Sequence, residues 1–446
     1  MRIDLRFSVI LIFVFGVSFW FRLKHLSFVE INSDALSSYL AALHFWRFGY
    51  SDPPNPESDH WMWISKVPWL WWASSLQELF QIRFFIAALI APMGAWCAYE
   101  NAICRPYSAA LACGLLLAFD MGLIDTLISS FRGYMAPEWI ALATVLFVLR
   151  KYHTCFVPFV GAMVIIASGH HPMSFGVLCG VLYLGFLYRF DVKVLLLGLL
   201  IFVITSGFRI LSIYDIMQCD DGGWSCLSII AQGSSEDIAI WDIFIRLIHD
   251  RFWIEMGFGS VFLLVGVILS PKKEFFYWTL YTTVGIVLLG FGIHTLRPYH
   301  LRIVALPMLV LGVLGWERYS DKVWIAWLIA MVFSSSPIIG REGQLRMHDE
   351  MAKKLYAISG DIWIESTVDS QIYSPGVGLA AVLSGISYER FAAEPPDEII
   401  LCLIDSQIKK WPQERLNKAG EIHWGGGFDW ARTIHLPERV RNLQHD

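Results

Sequence analysis

The sequence predicts an all-α polytopic membrane protein of about eleven transmembrane helices, closed by a small C-terminal α/β domain. Three observations predict this. Of 446 residues, 56% are apolar and only 16% charged, against roughly 45–50% and 25% in an ordinary globular chain. The apolar residues gather into long runs separated by short polar ones, and the mean hydropathy is +0.52. After residue 340 the composition changes: the last 106 residues carry 12 basic and 16 acidic side chains, the preceding 340 only 45 charges in all. A net charge of −5 leaves no basic surplus for nucleic acid.

The apolar stretches lie near 7–21, 82–99, 108–124, 135–149, 155–169, 173–188, 194–209, 253–270, 275–293, 301–316 and 323–338. Most approach the roughly 20 residues needed to cross the hydrocarbon. Gly169-His170-His171-Pro172 separates a short pair that forms either a tight hairpin or one broken helix. The first stretch runs into Phe19-Trp20-Phe21-Arg22. With no small-residue cleavage site there, it reads as a retained helix rather than a signal peptide.

Basic residues set the orientation, because cytoplasmic turns collect Lys and Arg. With Arg2 and Arg6 inside, the alternate turns carry Arg105, Arg150 and Lys151, Arg189 and Lys193, Lys272 and Lys273, and Arg318 and Lys322. The opposite loops, 24–81 and 210–252, are longer and rich in acids. The membrane domain is therefore 1–340, with an inside N-terminus, and 341–446 is a soluble domain outside. Its pattern reads helix 344–357, strand Asp361–Glu365, helix 376–385, strand Glu398–Ile404, helix 406–418 and strands near 421–424 and 432–436.

Cys219 and Cys226 share one outer loop, across Gly222-Gly223. A disulfide suits an oxidising face, whereas a metal site wants more thiolates or histidines close by.

Charge beside lipid is costly and marks function, and four clusters border the outer face. Glu30-Ile-Asn-Ser-Asp34 precedes a short helix. Asp34 is either a helix-start acid favoured by the dipole or a general base at the membrane surface. Trp61, Trp63, Trp69, Trp71 and Trp72 surround Lys66. They form an interfacial aromatic belt, or a stacking surface for sugar around an ammonium that holds phosphate. Arg132-Gly-Tyr134-Met-Ala-Pro137-Glu138 opens a helix, as ordinary initiation or as a polar site. His294-Thr-Leu-Arg297-Pro-Tyr299-His300-Leu-Arg302 breaks the basic-inside trend. Guanidinium groups there suit a phosphate, in a bound ligand or in a lipid headgroup.

These residues resemble the GT-C integral membrane glycosyltransferases, especially the bacterial branch similar to aminoarabinose and protein O-mannosyl transferases. The matching features are Asp34 after the first helix, with Ala35 where Glu is common, and Lys66-Val-Pro68-Trp-Leu70 before the second. Arg132 and Glu138 match at the fourth, Arg297 and Arg302 at a late helix, and a soluble domain ends the chain.

The resemblance implies a bacterial cytoplasmic-membrane enzyme using a polyprenyl-phosphate-linked sugar and a lipid, glycan or protein acceptor, with inversion at the sugar. It implies Asp34 as base, with Glu138 orienting sugar or acceptor. Lys66, Arg297, Arg302 and His300 would lie on the donor phosphate, and Glu30, Arg132, Tyr134, Trp61 and Trp63 on sugar or acceptor. No certain cofactor follows, and a divalent cation is compatible. The alternatives are a transporter or flippase of a lipid-linked sugar, which would show midplane charges and repeats, and a non-catalytic subunit of the same fold.

Overall fold

The computed structural model describes residues 4–29, 73–120, 179, 259–292, 302–334, 345–346, 349–350, 352–353, 383–385, 399–404, 422–424 and 431–436. The chain packs as two units. The helical unit is Met1–His25, Phe84–Leu127 and Arg132–Ile338; the second is Leu26–Arg83, Ile128–Phe131 and Ile339–Asp446.

Eight helices are described: α1 Leu5–Leu23, α2 Leu76–Ala88, α3 Ile90–Asn101, α4 Pro106–Ala118, α5 Gly259–Leu269, α6 Lys273–Gly292, α7 Arg302–Trp316 and α8 Asp321–Ser334. They cover seven of the eleven predicted stretches. The other four, 135–149 to 194–209, lie outside the described residues, apart from helical Cys179. Two runs, Leu5–Leu23 and Leu76–Asn101, are long and apolar enough to cross a membrane. At 1.5 Å per residue α1 spans about 28 Å, close to the roughly 30 Å hydrocarbon thickness.

The helix starts follow local chemistry. Asp4 caps α1, its Oδ1 accepting the Arg6 N–H at 3.0 Å. Pro106 opens α4, where its missing N–H costs nothing. α2 begins at Leu76, six residues before the predicted stretch, because the Ser75 hydroxyl accepts the Glu78 N–H and an acid distant in sequence accepts the N–H of Leu76.

Within the helical unit α1 and α4 run parallel, with α3 antiparallel to both. Tyr107 bonds Asp4, Gly114 meets Val14, and the Leu117 and Ala118 carbonyls accept from Arg22. Phe7 stacks on Tyr99 at a 4.0 Å centroid distance. α5 and α7 also run parallel and touch through glycine: Gly266 lies against Gly312 and Gly315. Trp316 Nε1 donates to the Phe262 carbonyl at 2.7 Å, and Trp327 of α8 closes the group against Gly259 and Gly312.

In the second unit β1 Ile399–Ile404, β3 Ala431–Leu436 and β2 Ile422–Trp424 form an antiparallel sheet in that spatial order. Ile399 pairs with Leu436, and Ile422 with Ile434. These strands occupy segments read as strands from β-branched and aromatic content. Leu383 is helical and Gly385 turns at φ 98°, a helix-ending conformation that glycine adopts without strain. Asp361–Glu365 and 406–418 lie outside the described residues.

A methyl group on Gly315 would run into the Gly266 carbonyl, a backbone obstacle that no rotamer change relieves. Overpacking of about 1–3 kcal/mol should exceed the roughly 1 kcal/mol gain in helix propensity from alanine. Gly315→Ala should therefore lower the thermal midpoint in detergent. Gly16→Ala, where a Cβ meets nothing within 4 Å, should leave it unchanged or raise it. Equal midpoints for both variants would refute this packing.

Candidate functional site

Among the described residues, the buried charged side chains of the helical unit lie at two ends. At the first, the Glu317 carboxylate is 1% exposed and accepts three successive backbone N–H groups of the α3–α4 turn: Ile103 at 2.9 Å, Cys104, and Arg105 at 2.7 Å. Arg105 in turn pairs with Asp321 at 3.0 Å. Asp4 stands at the same end, its Oδ2 taking the hydroxyls of Tyr99 and Tyr107. The Tyr107 hydrogen bond above all holds the Asp4 carboxyl below its usual range. The contact of Gly266 with Gly315 brings the α5–α6 turn, with Lys272 and Lys273, to this end as well.

At the opposite end Arg22 is wholly buried in the last turn of α1. Its guanidinium donates to both the hydroxyl and the carbonyl of Ser18, and at 3.3 Å each to the Leu117 and Ala118 carbonyls. A permanent cation thus meets the negative end of α4, where the last carbonyls have no helical partner. Buried Asp120 follows two residues on. Lys24 lies over the Trp20 ring at 3.7 Å, the pairing of a charge and an aromatic that suits a membrane–water boundary.

Of the sequence-predicted site residues, Arg302 is the first residue of α7. α7 ends at Trp316, beside Glu317, so Arg302 stands at the end of α7 away from the Glu317 turn. Glu30, Asp34, Trp61, Trp63, Lys66, Arg132, Tyr134, Glu138, Cys219, Cys226, Arg297 and His300 lie outside the described residues. Among the described residues no group of three or more His, Cys, Asp or Glu is placed to hold a metal ion.

The second unit holds a buried acid that the sequence reading missed. Asp349, 8% exposed, accepts the N–H groups of Leu76 at 2.7 Å and Gln77 at 3.1 Å, capping α2 across 273 positions of sequence. Glu78 closes the same turn through Ser74, bonding its N–H at 2.8 Å and its hydroxyl at 2.7 Å. Burial raises the Asp349 carboxyl above its usual range, against the two backbone hydrogen bonds and Lys353. Arg22 carried a signal in the sequence, a charge inside an apolar run. Glu317 was overshadowed by the basic residues around it, and nothing local marks Asp349 as a partner of Leu76.

No known protein family, curated protein or solved structure matches this chain.

Removing the Asp349 cap should destabilise the α2 start. Asp349→Ala should cost about 0.5–2 kcal/mol, and Asp349→Asn less, because one acceptor oxygen remains. The pH dependence follows from the raised pKa. A carboxyl raised on folding contributes stability below its unfolded value, roughly pH 4, and loses it as pH rises through the folded value. The midpoint difference between wild type and Asp349→Asn, followed from pH 4 upwards, should move against wild type. A flat difference would contradict the burial of this acid.

Proposed function

We propose that this chain is a membrane glycosyltransferase. It moves a sugar from a polyprenyl-phosphate donor to an acceptor on the extracytoplasmic face of a bacterial cytoplasmic membrane. The observation that carries this reading is the division of charge between the two ends of the helical unit. One end collects Arg105, Lys272, Lys273, Arg318 and Lys322 on turns that Glu317 and Asp4 tie together. The other end takes Arg302 and the exit of α1, from which the chain continues to Glu30 and Asp34. By the positive-inside rule the first end is cytoplasmic. The chemistry then belongs to the second, with the C-terminal domain outside.

In the reaction, the bond between the anomeric carbon and the donor phosphate oxygen breaks as the acceptor oxygen attacks from the opposite face. Asp34 takes the acceptor's proton. The electron pair of the broken bond leaves with polyprenyl phosphate, whose charge Lys66, Arg297, Arg302 and His300 stabilise. One displacement inverts the carbon, in analogy with single-step glycosidases. Glu138 orients sugar or acceptor, and Arg132, Tyr134, Glu30, Trp61 and Trp63 line their site.

A flippase would set its ionisable groups at the bilayer midplane. Among the described residues of the helices, the buried charges Arg22, Asp120 and Glu317 stand at helix ends and Arg83 within α2. Three of these four lie away from the middle of a helix, which favours the enzyme over the flippase.

Sugar transfer by Asp34→Asn tests the proposal. The substitution keeps size and removes proton affinity. Turnover should fall by a factor of about 10²–10⁴, the usual worth of general base catalysis, while donor binding persists. Glu30→Gln is the control. Full activity in Asp34→Asn with loss in Glu30→Gln moves the base to Glu30. Full activity in both removes the catalytic reading.

A further inference from the structure

The N-terminal end of α1 carries a groove that the proposed reaction does not use. Leu5, Arg6, Val9, Ile10 and Tyr107 line it, over about 510 Å³, within the roughly 300–1,000 Å³ range of ligand pockets. Its wall is apolar and open: Leu5 is 77% exposed and Val9 58%. Beyond it Ile12 and Phe13 continue the bare face of α1.

Two opposite charges stand two residues apart here: Arg6 lines the groove, and Asp4 holds the hydroxyl of Tyr107, which also lines it. Arg6 is exposed, and its guanidinium has no acidic partner among the described residues. A carboxylate has about four acceptor positions. Asp4 uses two on Oδ2, for Tyr99 and Tyr107, and one on Oδ1, for the Arg6 N–H. The Phe7 N–H bears on the same carboxylate, so Asp4 meets a cation by its charge rather than through an unused acceptor position.

We propose that this groove holds one phosphatidylethanolamine molecule of the surrounding bilayer. Its phosphate sits on Arg6, its ammonium on Asp4, and an acyl chain lies along Leu5, Val9 and Ile10. Charge complementarity selects this headgroup. Phosphatidylglycerol brings a phosphate to Arg6 but nothing positive to Asp4. Phosphatidylcholine brings a cation whose methyl groups hold its charge farther from the carboxylate. Asp4 already fills the N-terminus of α1, so the phosphate is drawn to the guanidinium rather than to the helix end. The site rests on the membrane-spanning reading of α1 and is independent of sugar transfer.

The test uses the full chain purified in detergent and incubated with phosphatidylethanolamine, phosphatidylglycerol or phosphatidylcholine. Native mass spectrometry then counts the lipid retained. Wild type should retain phosphatidylethanolamine about tenfold over the other two, and Arg6→Gln should lose about tenfold of that retention, the scale of one charged hydrogen bond. Asp4→Asn keeps a good helix cap but removes the charge, so it should abolish the preference for phosphatidylethanolamine over phosphatidylglycerol. Equal retention of all three lipids by wild type, or unchanged retention in Arg6→Gln, overturns the site while leaving the membrane reading intact. Recovery of the chain in the soluble fraction without detergent overturns both.

Discussion

Three backbone N–H groups in the turn between α3 and α4 have no helical partner, and one carboxylate from a turn more than two hundred residues later accepts all of them. The rest of the helical unit depends on this constraint. Ile103 and Cys104 stand on an exposed turn, and the buried Glu317 carboxylate takes all three N–H groups in charge-assisted hydrogen bonds, about twice as strong as neutral ones, which ties the two turns together. Once those two turns are joined, helix directions are set. α4 leaves the joint with α1 parallel to it, and α3 and α7 arrive at it. The glycine contact of α5 with α7 brings a third turn to the same end.

Arg22 answers the same problem at the far end by the opposite means. There the unpaired groups are carbonyls, and a guanidinium supplies the donors. Between the two ends the contacts are apolar and close, and two of the glycine positions leave no room for a side chain. Among the described residues of the helical unit, the buried charges Arg22, Asp120 and Glu317 thus stand at helix ends. That suits a chain whose middle faces hydrocarbon, and in the proposed reaction it leaves one end free to hold a charged lipid phosphate. The exposed apolar face of α1 belongs to the same logic: bare in water, it is satisfied by lipid.

Helix positions were legible in the sequence wherever an apolar run was long, because the hydrophobic signal is additive along the chain. α7 was read as 301–316 and spans Arg302–Trp316; α6 was read as 275–293 and spans Lys273–Gly292. β1 was legible for a related reason, six consecutive apolar residues rich in isoleucine. The residues that tie elements together were not. Glu317 lies in a segment whose basic residues dominated the reading. Asp349 meets Leu76 only through the fold. Local pattern holds no record of such pairings, since each partner alone is an ordinary turn or helix residue. Of the candidate site itself, Arg302 is the residue that the described structure carries, at the start of its helix.

The account turns on which side of the membrane each end faces. The direct measurement is alkaline phosphatase activity of two fusions, one after Lys272 in the basic turn and one after Asp446 at the end of the second unit. The account predicts an inactive fusion at Lys272, held in the cytoplasm, and an active one at Asp446, delivered outside. Activity at Lys272 with none at Asp446 would contradict it.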